Sequence, residues 1–195
     1  MDRAVLRVEV GALERELGPC VLVAKCFELL DDPDRAKEVA ALIVSRETAD
    51  LAEMGKRKLS FHHLAEQFLR VAYALTVAGQ RQQAVVVLRS FRDSARRYCL
   101  SGHVLGGDEA LRLVTAHVLL QDRAVELQEL IEPGSFEGQL AAAWSTGRAA
   151  DLLPFVRQVA CTVEQGEKAG RVSPSQDGWL YVLLRRLQAA AEAEG

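Results

Sequence analysis

Apolar and polar residues between positions 60 and 100 follow a helical period and fall into two segments around Gly79. In the first segment, apolar side chains recur at three- and four-residue steps, which is the spacing of one face of an α-helix. Ser60 stands at an N-cap position, and Gly79 offers the positive φ of a helix-ending turn. Residues 81–99 carry apolar side chains on one face and arginines on the other. The pattern predicts two helices joined by a tight turn, with Phe68 and Phe91 facing inward.

Most of the remaining chain has the same period, interrupted by turn residues, and contains no convincing strand. Residues 20–30 are almost entirely apolar and predict a helix in the core. Asp32 and Pro33 predict the start of the next helix, which we expect to run to about Val44 with Leu42 inward. Ser45 is then expected to cap a separate short helix, and Asp122 another through residue 131. The whole chain predicts nine to eleven helices.

Length and composition fit a single globular domain with an aliphatic core. The chain has 195 residues, of which 49% are hydrophobic and only 6% aromatic. These values suit one domain over residues 1–195, and they disfavour wholesale disorder. Three glycines between residues 101 and 107 mark a possible sub-domain break. The predicted fold class is all-α, with antiparallel helical hairpins in a compact bundle or a short solenoid.

The hairpin at residues 60–100 resembles a tetratricopeptide-type repeat, in which bulky and small residues precede a glycine and an alanine follows it. The residues that carry the resemblance are Phe68, Val71, Ala72, Leu75, Gly79, Ala84, Leu88 and Phe91. The next repeat of such an array would have its turn near Leu113, inside an apolar run, so the match covers one repeat. The resemblance implies a helical-hairpin architecture and no ligand residues. An ordinary helical bundle would give the same hairpin.

Cysteine usage and hydropathy indicate the compartment. The four cysteines, Cys20, Cys26, Cys99 and Cys161, are dispersed along the chain, which favours free thiols over a disulfide framework. The N-terminal segment, positions 1–17, lacks the continuous apolar core of a signal peptide. No uninterrupted apolar run approaches the roughly 20 residues of a membrane span. We therefore expect a cytoplasmic or nuclear protein without a membrane partner.

Charge is distributed unevenly along the chain. The formal net charge is −3 overall, but residues 1–54 carry −5, residues 55–100 carry +7 and residues 101–195 carry −5. Four arginines of the central segment lie close together on its second helix: Arg89, Arg92, Arg96 and Arg97. Such a row needs an acidic neighbour, which the acidic N-terminal segment, an acidic partner protein or phosphates could supply. These arginines are the predicted partner-binding residues.

Two residue groups suggest chemistry, but neither completes a catalytic pattern. Asp31, Asp32 and Asp34 could hold a divalent cation, although helix capping explains the same residues. Cys99 and His103 have the four-residue spacing of two metal ligands on a helix, but Ser101 and Gly102 should end the helix between them. No catalytic residue, metal or cofactor is therefore assigned.

The sequence as a whole favours a binding protein over an enzyme. Stacked helical pairs present extended surfaces to partner proteins, so the predicted function is a non-enzymatic adaptor or scaffold subunit of a larger complex. Two alternatives remain open. One is a nucleic-acid-binding helical protein that uses the basic residues 55–100. The other is a small all-α metal-dependent enzyme that uses the Asp31–Asp34 cluster or Cys99.

Overall fold

The computed structural model describes residues 3–54, 60–123, 125–168 and 178–192. This part of the chain is all-α, with nine α-helices, one 3₁₀ helix (Val125–Glu129) and no strand, which confirms the predicted fold class. The α-helices in chain order are α1 (Arg3–Leu17), α2 (Val21–Leu29), α3 (Pro33–Met54), α4 (Phe61–Val77), α5 (Arg81–Leu100), α6 (Gly107–Leu120), α7 (Phe136–Thr146), α8 (Ala149–Lys168) and α9 (Gly178–Glu192).

The chain forms two compact units, Met1–Val87 and Leu88–Gly195. Helices α1 to α4 belong to the first unit and α6 to α9 to the second, and the division falls within α5. The glycine-rich segment 101–107, where a sub-domain break was considered, therefore lies inside the second unit. The candidate binding arginines at positions 89–97 also belong to the second unit.

Helix α2 is central to the first unit, as its apolar sequence predicts. Val23 and Ala24 are fully buried, and α2 packs against α1, α3 and α4. Helix α3 packs in turn along α4. Asp32 and Pro33 begin α3 as predicted, and the Asp32 carboxylate accepts a hydrogen bond from the Arg35 amide at 3.3 Å.

The predicted helix break at Ser45 is wrong, because α3 runs without interruption from Pro33 to Met54. Buried residues continue along one side of the helix through Ile43 to Glu47, so the packed face passes Ser45 unchanged. Ser45 itself is exposed, and a serine in such a place needs no break. Leu42 was expected inward but is 57% exposed, since it lies outside that packed face.

The turn after α4 confirms the role predicted for Gly79. Its φ of +76° lets the Gln80 amide donate to the Leu75 carbonyl at 2.8 Å, while the Gly79 amide donates to the Thr76 carbonyl at 3.1 Å. These two bonds form a Schellman motif. Ser60 precedes α4 with an extended backbone, but its hydroxyl lies 2.7 Å from Nδ1 of His63 and makes no capping bond.

Helix α6 is the most deeply buried helix of the second unit. All residues from Leu113 to Leu120 are buried, and α6 packs against α7 and α9. Helix α8 packs against both α7 and α9. The predicted helix from Asp122 to residue 131 is wrong, because the described part of this segment forms only the short 3₁₀ helix. Among the described residues, no helix has the length and apolarity needed to cross a bilayer.

Candidate functional site

The four predicted binding arginines lie along α5, and we call them the arginine face. Arg89 and Arg97 are exposed, whereas Arg92 and Arg96 are half-buried. With about 100° of rotation per residue, Arg89, Arg96 and Arg97 fall within a sector of about 100° on the helix surface. Asp93 lies in the same sector and is also exposed. Arg92 lies about 60° from Arg89 on the side away from Arg97, so all four arginines fall within about 140° of the helix surface.

The arginine face carries a net positive charge. Within the part of the chain that the structure describes, Arg89, Arg96 and Arg97 form no ion pair within 4.0 Å. Arg97 donates instead to the neutral Ser94 hydroxyl at 3.0 Å. Residues 88–100 contain four arginines against one aspartate. The face can therefore attract an acidic group from outside the protein.

One acidic side chain of the same unit, Asp122, lies within electrostatic reach of the arginine face. Its pKa is held below the ordinary value, mainly by contact with His117 and to a smaller extent by the charges of Arg92 and Arg89. Oδ2 of Asp122 lies 3.3 Å from Nδ1 of the fully buried His117. Asp122 is outside the acidic N-terminal segment, where the sequence suggested that an internal counter-charge could lie. It offsets part of the charge of Arg92 and Arg89.

The backbone of Asp122 is fixed by the turn that ends α6. Gln121 adopts φ of +54°, and the Asp122 amide donates to the His117 carbonyl at 2.9 Å. Nε1 of the buried Trp144 donates to the Asp122 carbonyl at 2.8 Å. The Arg123 guanidinium lies 4.2 Å from the centre of the Trp144 ring and donates to the Trp144 carbonyl at 2.9 Å. These bonds fix the backbone from which the Asp122 side chain extends.

A second group of charged residues lies around the buried Lys25 and Glu47 in the first unit, and sequence reasoning missed it. Lys25 is only 8% exposed, and its Nζ lies 5.8 Å from the centre of the Tyr73 ring. The Tyr73 hydroxyl donates to Oε2 of Glu28 at 2.5 Å. Burial lowers the pKa of Lys25 to about 8, against the opposing influence of nearby Glu66 and Glu28.

The same buried group connects α3 to α4. The carboxylate of Glu47, which is buried, accepts a hydrogen bond from the Gln67 side chain. Oε1 of Glu47 lies 3.1 Å from Nη2 of Arg46 and 4.0 Å from Nη1 of Arg70. Nε of Arg70 also lies 3.5 Å from Oε1 of Glu66. We call these residues, together with Lys25, Glu28 and Tyr73, the polar network. In the sequence, this network is indicated by two charged residues, Lys25 and Glu28, within the apolar run of α2.

The arrangement of the polar network is structural. Lys25 is enclosed, and the carboxylates of Glu28, Glu47 and Glu66 each lie against a donor or a cation. Such hydrogen bonds and ion pairs between helices hold the packed elements in one register. We therefore assign no chemistry to the network.

The aspartate cluster at positions 31–34 serves the helix ends. Asp31 ends α2 with φ of +54°, and Asp32 caps α3. Asp31 and Asp34 are exposed. No three His, Cys, Asp or Glu side chains of the described residues come together as metal ligands. The structure thus gives Asp32 a capping role and Asp31 a place in the turn between α2 and α3, and it adds nothing to the metal-dependent alternative.

Cys99 and His103 engage different neighbours. The His103 ring stacks on Tyr98, with ring centres 4.5 Å apart and planes inclined by 14°. The Cys99 thiol lies 3.9 Å from the Leu130 carbonyl oxygen, to which it can donate. Burial raises the pKa of Cys99, which opposes the thiolate that a nucleophile or metal ligand needs. The four-residue spacing therefore does not create a site here.

All four cysteines are free, and we expect four reactive thiols when the protein is denatured without reductant. In the native protein Cys161 should react first, because it is exposed while the other three are half-buried. The pKa values of Cys26 and Cys99 are raised by burial, which slows their reaction further. A chromogenic thiol reagent measures the number of thiols in the denatured protein and the rate at which each thiol reacts in the native protein. The variant Cys161→Ser should remove only the fast phase, and two or fewer thiols in the denatured wild type would contradict the assignment.

Comparison with protein-family models, with curated proteins and with solved structures gives no match. The tetratricopeptide-type resemblance therefore stays a prediction, and the function is argued from the residues alone.

Proposed function

We propose that this protein is a non-enzymatic adaptor or scaffold subunit that binds an acidic partner protein through the arginine face. The observation that supports this most directly is the exposure of Arg89 and Arg97 without an ion pair in the described part of the chain. Arginine forms bidentate hydrogen bonds with carboxylates, so an acidic side chain from a partner would satisfy it well. A cytoplasmic or nuclear location is part of the same proposal.

A protein partner fits the face better than nucleic acid does. Proteins that bind single strands combine basic residues with aromatic rings on which bases stack. Of the two aromatic residues on α5, Phe91 is buried, and Tyr98 is half-buried and stacked on His103. The overall charge of −3 also weakens long-range attraction to a polyanion. Nucleic acid therefore remains the second candidate.

The double variant Arg89→Glu, Arg97→Glu should fold normally and lose the partner. Both side chains are exposed, so we expect the free energy of unfolding to change by less than about 1 kcal/mol. Arg92 is left unchanged because it is half-buried and lies near Asp122. Affinity purification with quantitative mass spectrometry, at low and high salt, would show which proteins depend on the face. The recovery of these proteins should fall as the salt concentration rises, because salt screens the ion pairs that the arginines form.

The chain offers a matched control on α1. Arg7 and Arg15 are also exposed and also eight residues apart on one helix, so Arg7→Glu, Arg15→Glu makes the same change of charge. This control should recover the same proteins as the wild type. If both double variants lose the same proteins, net charge rather than the arginine face controls recovery. If neither double variant loses any of the recovered proteins, the arginine face binds only solvent, and the proposal is wrong.

A further inference from the structure

Two highly exposed apolar side chains lie at the C-terminal end of the arginine face. Leu100, the last residue of α5, is 80% exposed, and Val104 in the following loop is 75% exposed. Leu100 follows Arg89 by eleven residues, which returns it to within about 20° of the same direction on the helix. Arg96 and Arg97 lie one turn before Leu100 on this side. The arginine face therefore ends at the exposed side chain of Leu100, and the exposed Val104 follows four positions later in the chain.

Neighbouring contacts hold the loop that carries Val104. The Gly102 amide donates to the Cys99 carbonyl at 3.0 Å, with Gly102 at φ of +84°. His103 is stacked on Tyr98, and Leu105 is buried. Val104 thus stands between two anchored residues and remains exposed. Single exposed apolar residues are ordinary, but two within five consecutive positions at the end of a charged face can be covered by one bound segment.

We propose that the arginine face and this apolar end together bind an acidic segment of a partner protein that also carries an apolar side chain. The inference rests on the proposed function and specifies the partner of the same site. The arginines are complementary to carboxylates, and Leu100 and Val104 lose contact with water only if the bound segment supplies an apolar group. A nucleic-acid backbone supplies phosphates but no aliphatic side chain.

The dimensions of the surface determine the spacing within that segment. Eleven residues of helix at about 1.5 Å each separate Arg89 from Leu100 by about 16 Å along α5. An extended peptide covers this distance with about five residues, and a bound helix covers it with about eleven. The partner segment therefore places its apolar side chain about five extended residues, or about three helical turns, from its first carboxylate.

Binding of three labelled probes to the full-length protein tests the proposal by fluorescence anisotropy. The first is a glutamate-rich peptide of about twelve residues with one leucine near an end, long enough to span the surface in either conformation. The second replaces that leucine with serine. The third is single-stranded DNA of matched charge. We expect the leucine peptide to bind about tenfold more tightly than the serine peptide, since it buries an aliphatic side chain.

Two double variants separate the contributions. Leu100→Ser, Val104→Ser should abolish the difference between the two peptides and leave binding of the serine peptide unchanged. Both positions are exposed, so this variant should fold. The double variant Arg89→Glu, Arg97→Glu should weaken the binding of both peptides. The control Arg7→Glu, Arg15→Glu should leave the binding of both unchanged. These results together would support the proposal.

Other outcomes overturn different parts of it. If both peptides bind equally and depend on the arginines, the apolar end plays no part, so the inference fails while the proposed function stands. Tighter binding of the DNA than of either peptide would overturn both in favour of the nucleic-acid candidate. No arginine-dependent binding of any probe would also overturn both.

Discussion

Replacing Phe91 with alanine should lower the free energy of unfolding by about 3–5 kcal/mol. Phe91 is fully buried on α5, between Leu88 and Ala95, which are one turn before and one turn after it and are also buried. Removing its ring deletes a large apolar contact area and leaves a cavity that a close-packed interior fills only partly. Urea denaturation followed by circular dichroism measures the loss.

Phe68→Ala provides the comparison, because the two phenylalanines differ in burial. The prediction that Phe91 faces inward is confirmed, but Phe68 on α4 is only half-buried. The apolar area that alanine removes from the packed interior is correspondingly smaller at Phe68, so we expect a loss of about 1–2 kcal/mol. Equal losses, or a larger loss at Phe68, would show that the described burial of these helices is incorrect.

Helix boundaries were predictable where one residue type has one local role. Gly79 supplies a positive φ that few other residues adopt, and Asp32 with Pro33 supplies a cap and a suitable first helical residue. Ser45 misled because serine favours caps but is also tolerated on an exposed helix surface. Whether a helix continues there depends on packing against its neighbours, and here the buried face of α3 continues to Glu47.

The candidate site was predictable only in part, for the same reason. The spacing of Arg89, Arg96 and Arg97 on one helix can be read from a helical period. The approach of Asp122 to α5 cannot, because it depends on the turn at Gln121 and on the hydrogen bond from Trp144. The apolar end of the face likewise depends on the loop contacts of His103 and Leu105, which expose Val104 between them.

The polar network shows how burial changes the meaning of a charged residue. In the sequence, Lys25 and Glu28 interrupt an apolar run that predicts a helix in the core. In the structure Lys25 is buried, and Glu28 is bonded to Tyr73, which is distant in the chain. Such a long-range partner cannot be inferred from periodicity, so the charge was visible in the sequence and its environment was not.

Because Lys25 is buried, its contribution to the free energy of unfolding depends on pH and increases as pH rises. The folded pKa of Lys25 is about 8 and its ordinary value is 10.5, so between these values the unfolded chain binds more protons than the folded one. The contribution of Lys25 to stability therefore rises as pH rises from 8 to 10.5, and below pH 8 the full cost of its buried cation remains. A difference of this size corresponds to a cost on the order of 3 kcal/mol.

The variant Lys25→Met should remove this cost and stabilise the protein at pH 7 by about 2–3 kcal/mol. Methionine keeps the length of the apolar stem without the charge, and Glu66 and Glu28 retain Arg70 and Tyr73 as neighbours. Urea denaturation of the variant and the wild type across pH 7 to 10.5 measures the difference, and titrations common to both proteins cancel. The stabilisation should shrink as pH rises and vanish near the upper end.

Lys37→Met supplies the control, since Lys37 is an exposed lysine on α3. Removing a charge that is already in water should change the free energy of unfolding by less than about 0.5 kcal/mol at every pH. A constant offset between Lys25→Met and wild type would mean that packing, not the protonation of Lys25, causes the stabilisation. A loss of stability at pH 7 would show that the cation of Lys25 is needed by the carboxylates around it, and that the polar network depends on that charge.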